Sequence, residues 1–458
     1  MANIVRLSWS VLSEVLRGDN VPFAYVLLKG WTALFGEGEW ALRSLSVAAY
    51  SAAVVLTGLA GRRVGGPTAG LMAATLMATS TKIGLAHAAT ARPYALLALI
   101  ASAAMLQSVA MLQSARRERA RVAPVVALAL THLLGLFTHP TYVFVLVAYG
   151  AASTLVRRAL VNAASVAALI AVAAYGTLWG PVVRATLAMQ ATSWMSPPSV
   201  ADLKAAYLLL WGTGPGLIML GVLAALLLAD LERTREAIAA TPRRWALVAA
   251  AVAWGLPIAV SFWKPVFLAS RTPVMLLPAS AVLLGAVLSA LARRLVLVTL
   301  AALFVLTAAL VAPAGGRSDP VPTPQSVREV LDLATCGDTI VATGLANSPI
   351  EYYLRRLNAR SCVRFVAFPA SMRNWTGRLA QPAAMNLVRR ECRELVEGLA
   401  GGRGRVWAFV LSRGTVAEAS AMLSDELHRA LSCTGRLPLR GAYFDAVLVC
   451  KAASSRPF

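Results

Sequence analysis

Arg116-Arg117-Glu118-Arg119-Ala120-Arg121 is followed almost at once by Ala123-Pro124-Val125-Val126-Ala127-Leu128-Ala129-Leu130-Thr131-His132-Leu133-Leu134-Gly135-Leu136-Phe137-Thr138, a basic cluster feeding an apolar run. The pairing recurs along the chain and decides its class. Crossing ~30 Å of hydrocarbon takes about 20 apolar residues, and the crossing segment is helical because lipid offers the backbone no partners. Of 458 residues, 58% are hydrophobic and 14% charged, with a mean hydropathy of +0.67. Soluble domains carry roughly a quarter charged residues. The net charge of +22 sits as arginine clusters at the ends of apolar runs, which reads as membrane topology rather than nucleic-acid binding.

Reading the runs in order gives about ten spans, at 42–60, 66–83, 93–113, 123–138, 140–156, 159–178, 204–228, 245–262, 272–291 and 295–312. Basic clusters fill alternate loops: Arg62 and Arg63; Arg116 to Arg121; Arg157 and Arg158; Arg233, Arg235, Arg243 and Arg244; Arg293 and Arg294. All fall on one side of the count, the cytoplasmic side by the positive-inside rule. Three parts follow: outward interfacial helices at 1–41, a transmembrane helical domain at 42–312, and an extracytoplasmic α/β domain at 313–458. The expected location is a bacterial plasma membrane.

The tail reads as alternating strands and helices. Expected strands are Thr339–Thr343, Val363–Phe368, Val406–Leu411 and Ala446–Cys450, with helical patterns near 325–335, 348–357, 383–400 and 415–431. That alternation implies a small three-layer α/β fold, set off by a Pro/Gly-rich link at 313–325. All five cysteines (Cys336, Cys362, Cys392, Cys433, Cys450) lie in this tail. An outward domain suits disulfides; five is odd, so at most two bridges form, and the spacing leaves their pairing, or five buried free thiols, open. No Cys/His spacing of the kind zinc needs occurs. Asn374-Trp375-Thr376 is a single glycosylation sequon of little weight.

The first residues present do not read as a signal peptide, having no basic region followed by an apolar stretch of about 7–15 residues. Ile4, Leu7, Val11 and Val15 share one helical face, and a second segment, Tyr25 to Phe35, carries the aromatics favoured at headgroup depth. Asp19-Asn20-Val21-Pro22-Phe23-Ala24-Tyr25, then Trp31, Phe35-Gly36 and Leu42-Arg43-Ser44, resembles the first outer loop of bacterial GT-C glycosyltransferases of the dolichyl-phosphate-mannose-protein mannosyltransferase-like group (glycosyltransferase family 39 type). Ala91-Arg92-Pro93-Tyr94-Ala95-Leu96-Leu97, Phe137-Thr138-His139, and Lys264-Pro265-Val266-Phe267 through Arg271, Pro273 and Pro278 resemble its later elements, in order, across nearly the whole membrane part. The chain departs from the pattern at Val21 for His, Phe23 for Pro, Val26 for Tyr and Thr272 for Tyr. The family's opening span and acidic pair would lie upstream of the residues present.

The resemblance implies an inverting hexosyl or mannosyl transfer from a polyprenyl-phosphate-linked sugar donor to a protein, lipid or glycan acceptor on the outer face. It implies no certain cofactor and leaves a divalent cation open. Residues 1–312 hold nine acids, of which Glu118, Asp230, Glu232 and Glu236 fall in the basic loops, leaving Glu14, Asp19, Glu37, Glu39 and Asp202 outside. Transfer needs a base for the acceptor's proton, and a carboxylate commonly serves; Asp19, on the matching motif, is the catalytic candidate, though it also fits as the cap of a helix starting near Pro22. Cations must hold the leaving phosphate, for which the arginine fork is suited. The substrate-binding candidates are therefore Arg92, Tyr94, His139, Lys264 and Arg271. Their bland readings are snorkelling or interfacial anchoring for the cations and packing or capping for His139. Glu39 and Arg43 read as a surface pair at i and i+4. The alternatives to an enzyme are an inactive or truncated GT-C-like subunit and, lower, a transporter, since no Asp or Glu falls within a span.

Overall fold

The computed structural model describes residues 22–114, 122–158, 162–188, 196–212, 239–291, 324–343, 347–357, 362–370, 382–410, 417–438 and 446–452, with isolated positions between them. Asp19, the face formed by Ile4, Leu7, Val11 and Val15, the 313–323 link, the sequon and most of the 295–312 run lie outside them. The chain divides into two compact units. One is Leu16–Val182 with Met195–Gly316, and the other is Arg317–Phe458 with Met1–Val15 and Val183–Trp194.

The first unit is helical: α1 Pro22–Phe35, α2 Glu39–Gly65, α3 Pro67–Ala78, α4 Tyr94–Ser114, α5 Val122–Thr138, α6 Val143–Arg157, α7 Ala163–Ala188, α8 Val200–Trp211, α9 Thr241–Ser261 and α10 Pro273–Leu291. Among the described residues five helices (α2, α4, α7, α9 and α10) are long and apolar enough to cross a membrane. At its centre α2 packs on α3 and α4, and α10 on all three. Small residues permit this: a Cβ on Gly70 would lie 2.7 Å from the Gly58 carbonyl, and one on Gly285 2.7 Å from the Ala69 carbonyl. Where lipid supplies no hydrophobic drive between helices, such close approach is what holds them together. Trp31 of α1 donates to Ser44 Oγ at 3.0 Å, seating that helix on the start of α2, and Glu39–Arg43 is a partly exposed pair at 3.7 Å.

Three spans differ from the expected ones; the 159–178 run becomes α7, which begins at Ala163 and continues to Ala188. The 66–83 run is interrupted, because α3 ends at Ala78 and a π-helical turn, Thr81–Leu85, follows. Hydropathy averages over such a break. The 204–228 run begins earlier, at Val200, where Ser199 and Asp202 form a reciprocal capping box, and α8 stops at Gly212, whose φ of 75° a side chain would oppose. Asp202 is thus a cap, which removes it from the pool of free carboxylates.

Among the described residues, Arg63, Arg157 and Arg244 gather at one end of the bundle. Arg157 donates to the Met111 carbonyl of α4 at 2.8 Å, Arg244 to the Val156 carbonyl of α6 at 3.1 Å, and Gln113 to the Arg63 carbonyl at 2.7 Å. Cations here satisfy carbonyls at helix C-termini, which have no partner within the helix.

In the second unit the elements are α11 Pro324–Leu333, β1 Thr339–Thr343, α12 Asn347–Arg356, β2 Arg364–Phe368, α13 Pro382–Ala400, β3 Arg405–Val410, α14 Ala417–Ala430, β4 Leu431–Pro438 and β5 Ala446–Ala452. The five-stranded sheet runs β2-β1-β3-β5-β4. β2 and β3 flank β1 in parallel, and β5 is antiparallel to β3 and β4. All five residues of β1 are buried, as a strand covered on both faces requires. Val327, Val330, Val388, Val396, Leu423 and Leu427 pack from the helices onto Ile340, Val341, Trp407 and Phe409. β4 is an addition to the four expected strands. It is an edge strand with a bulge between Cys433 and Gly435, and its Gly and Pro hide the strand pattern. Two disulfides form, Cys336–Cys362 before β1 and β2 and Cys433–Cys450 across β4 and β5, while Cys392 is a buried free thiol.

Candidate functional site

Tyr94, at the start of α4, is buried, and its ring stands between two histidines: 4.6 Å from that of His87 and 5.7 Å from that of His139. Three chain segments meet there, at the opposite end of α4 from Arg157, which bonds the Met111 carbonyl.

The first segment descends from α3. Thr79 Oγ1 donates to the Thr75 carbonyl at 2.8 Å and closes the helix; Ser80 Oγ accepts from Gly84 N at 3.4 Å and starts the π-helical turn. Gly84 is required because a Cβ there would collide with the Tyr50 hydroxyl, which itself donates to the Met77 carbonyl at 2.6 Å. Such turns often accompany functional sites because they displace the residues that follow. Here that residue is His87, 9% exposed, whose Nε2 lies 2.9 Å from the Ser270 carbonyl. A carbonyl only accepts, so Nε2 carries the proton. Thr90 Oγ1 then donates to the His87 carbonyl at 3.2 Å and Arg92 N to the Thr90 carbonyl at 2.8 Å, leaving Arg92 exposed.

The second segment joins α5 to α6. His139 is extended (φ −165°, ψ 132°) and its Nδ1 accepts from Thr141 N at 3.3 Å, capping the 3-10 turn Pro140–Tyr142. The capping role expected of His139 and its place beside Tyr94 therefore coexist. Tyr142 packs flat on Gly135 and its hydroxyl lies 3.1 Å from His132 Nδ1.

The third is the 262–272 loop between α9 and α10. Buried Ser261 donates to the Pro257 carbonyl at 2.7 Å and accepts from Val266 N at 3.0 Å and Phe267 N at 2.8 Å. Buried Thr272 accepts from Leu268 N at 2.9 Å. The Thr272 hydroxyl thus shapes the loop where the resembled family carries Tyr. Arg271 is exposed at its end, close enough for its charge to act on both His87 and His139. Lys264 lies at the head of the same loop, its amide bonded to the Val260 carbonyl at 2.8 Å. Phe262 and Trp263 beside it are 68% and 89% exposed, the exposure an interfacial anchor has.

Of the six residues proposed from sequence, Arg92, Tyr94, His139 and Arg271 come together, Lys264 shares the Arg271 loop, and Asp19 lies outside the described residues. His87, Ser261 and Thr272 were not singled out for these roles. Their partners are backbone groups brought close only by folding. The result is an end-of-bundle cluster with two exposed guanidinium groups around uncharged rings, an arrangement suited to an anion with several oxygens.

No family model matches the chain, and no curated protein sequence matches it. Among solved structures, ArnT from Cupriavidus metallidurans in the apo state is similar, with a TM-score of 0.58 at 14% identity over 96% of this chain and 89% of that one. The same protein bound to undecaprenyl phosphate gives 0.55 at 16% identity, over 95% and 88%. The oligosaccharyltransferase of Archaeoglobus fulgidus gives 0.45 at 12% identity, over 93% and 64%. By fold, the chain is a polytopic α-helical membrane protein of the GT-C type with a C-terminal soluble α/β domain.

Proposed function

We propose that the chain is a membrane glycosyltransferase that moves a sugar, a hexose of the mannose type by the sequence resemblance, from a polyprenyl-phosphate carrier to an acceptor at the extracytoplasmic face of a bacterial plasma membrane. The placement of Arg92 and Arg271 beside His87, one through the Thr90 turn and the other next to the Ser270 carbonyl that His87 bonds, carries this reading. It is supported by the GT-C-type fold shared with ArnT, which binds undecaprenyl phosphate. It is further supported by Arg157 and Arg244 lying at the other end of the bundle.

In this reading the acceptor oxygen attacks the anomeric carbon as the bond to the phosphate oxygen breaks, with inversion. The electron pair of that bond leaves on the polyprenyl phosphate, where two guanidinium groups, each offering paired N–H donors, stabilise the added charge. The acceptor's proton passes to a carboxylate, for which Asp19 is proposed on its motif. Tyr94, His87 and His139 form the uncharged wall behind the arginines.

The test is transfer itself. Reconstituted chain and a radiolabelled polyprenyl-phosphate hexose should yield labelled product of inverted configuration with a membrane-extract acceptor, and Asp19→Asn should reduce transfer by about 10²-fold or more. Donor that stays intact in every acceptor fraction would remove the glycosyltransferase reading.

A further inference from the structure

Deepening that reading of the site, and resting on it, is a contact between residues 183 positions apart: the His87 Nε2–H donated to the Ser270 carbonyl at 2.9 Å. The bonds made by Ser261, the last residue of α9, and by Thr272 shape the 262–272 loop and tie it to the end of α9. None of these bonds reaches the turn from His87 to Arg92. That turn is fixed internally, through Thr90. The His87–Ser270 bond joins these two preshaped bodies, one ending in Arg92 and the other in Arg271. It does so at the residue immediately before Arg271. The His87 ring is held in turn by its contact with Tyr94, and by the π-helical turn that delivers it.

Two guanidinium groups serve one phosphate only if both reach its oxygens together, and an error of about 1 Å in such a placement costs on the order of 10²-fold. We propose that His87 is a positioning residue: its bond to Ser270 sets the spacing of Arg271 from Arg92 so that both address a single lipid-linked phosphate. His87 itself does not touch the phosphate. Its role needs a hydrogen-bond donor at the position of Nε2 and no charge, which Gln supplies at similar reach and Ala does not.

The test uses the full chain in lipid nanodiscs with undecaprenyl phosphate as the probe. His87→Ala is expected to weaken binding about tenfold, His87→Gln by no more than about threefold, and His87→Ala should add nothing once Arg271→Ala is present. Hydrogen exchange in the ligand-free chain supplies the second measurement. Amides of residues 266–274 should exchange faster in His87→Ala and recover in His87→Gln, while α2 and α4 stay unchanged as a check on folding. Equal loss from His87→Ala with and without Arg271 would overturn the role, since independent effects add. So would unchanged loop exchange with wild-type binding intact. Absence of binding by the wild-type chain would overturn the phosphate reading and the role together, and the exchange measurement would still report whether the clasp exists.

Discussion

The rings of Tyr94 and His139 lie 5.7 Å apart at a tilt of 41°, which locks the start of α4 to the turn between α5 and α6. Aromatic pairs of this kind contribute about 0.5–1.5 kcal/mol beyond the area they bury, and Tyr94 makes a second one with His87. Tyr94→Ala is therefore expected to destabilise the chain by about 3 kcal/mol, and Tyr94→Phe by under about 1.5 kcal/mol. Thermal unfolding in detergent measures both. An Ala variant as stable as the wild type would show that the ring wall is not a packing element.

A pH dependence follows from the same wall. Burial pushes His87 down to about 4; its Ser270 bond opposes this, and the charges of Arg92 and Arg271 reinforce it. Desolvation, with the charge of Arg271, lowers His139 to about 4 as well. Unfolded histidines titrate near ~6.5, so between those values the unfolded chain binds more protons. Stability from these groups is complete above pH ~6.5 and is lost as pH falls toward ~4. The melting temperature should drop between pH 7 and pH 5, and drop less in a His87→Gln, His139→Gln double variant. An identical drop in that variant would assign the effect elsewhere.

In the soluble unit the corresponding anchor is Asp338, buried at the start of β1. Its carboxylate accepts from Thr335 N at 2.9 Å, Arg405 N at 2.8 Å and Trp407 Nε1 at 2.9 Å, and pairs with the Arg405 guanidinium at 3.1 Å. Burial acts to raise its pKa; these bonds and the Arg405 charge outweigh burial and hold it below the usual carboxylate value. Asp338→Asn should cost about 3 kcal/mol. Because the folded pKa is depressed, the wild-type contribution is present above pH ~4 and lost as pH falls below it. Hydrogen exchange of β1 and β3 amides in the full chain reads both effects; unchanged protection in Asp338→Asn would refute the anchoring role.

How much of this was legible in the sequence depends on whether the signal was local. β1, β3 and β5 are continuous apolar stretches between helical patterns, and their positions follow from periodicity alone. β4 carries Gly435 and Pro438 at a sheet edge and is held by pairing with β5 and a disulfide, so nothing local marks it. Within the membrane unit Arg63, Arg157 and Arg244 announced helix ends that share a side, because charge at a span end is a local signal. The break after Ala78 and the stop at Gly212 were invisible to an average over twenty residues. Arg92, Tyr94 and Arg271 were proposed from short motifs, whereas His87 acquires its role from a carbonyl 183 residues away, which no window contains.

Equilibrium binding of undecaprenyl phosphate to the reconstituted chain is the most direct measurement of whether Arg92 and Arg271 form one phosphate site. Each charged hydrogen-bond donor lost is worth about 1.5–3 kcal/mol, or roughly 10- to 100-fold in affinity. The expected result is that Arg92→Ala and Arg271→Ala each weaken binding by at least about tenfold, with the double variant weaker than either. Binding by the double variant as tight as that of the wild type would contradict it.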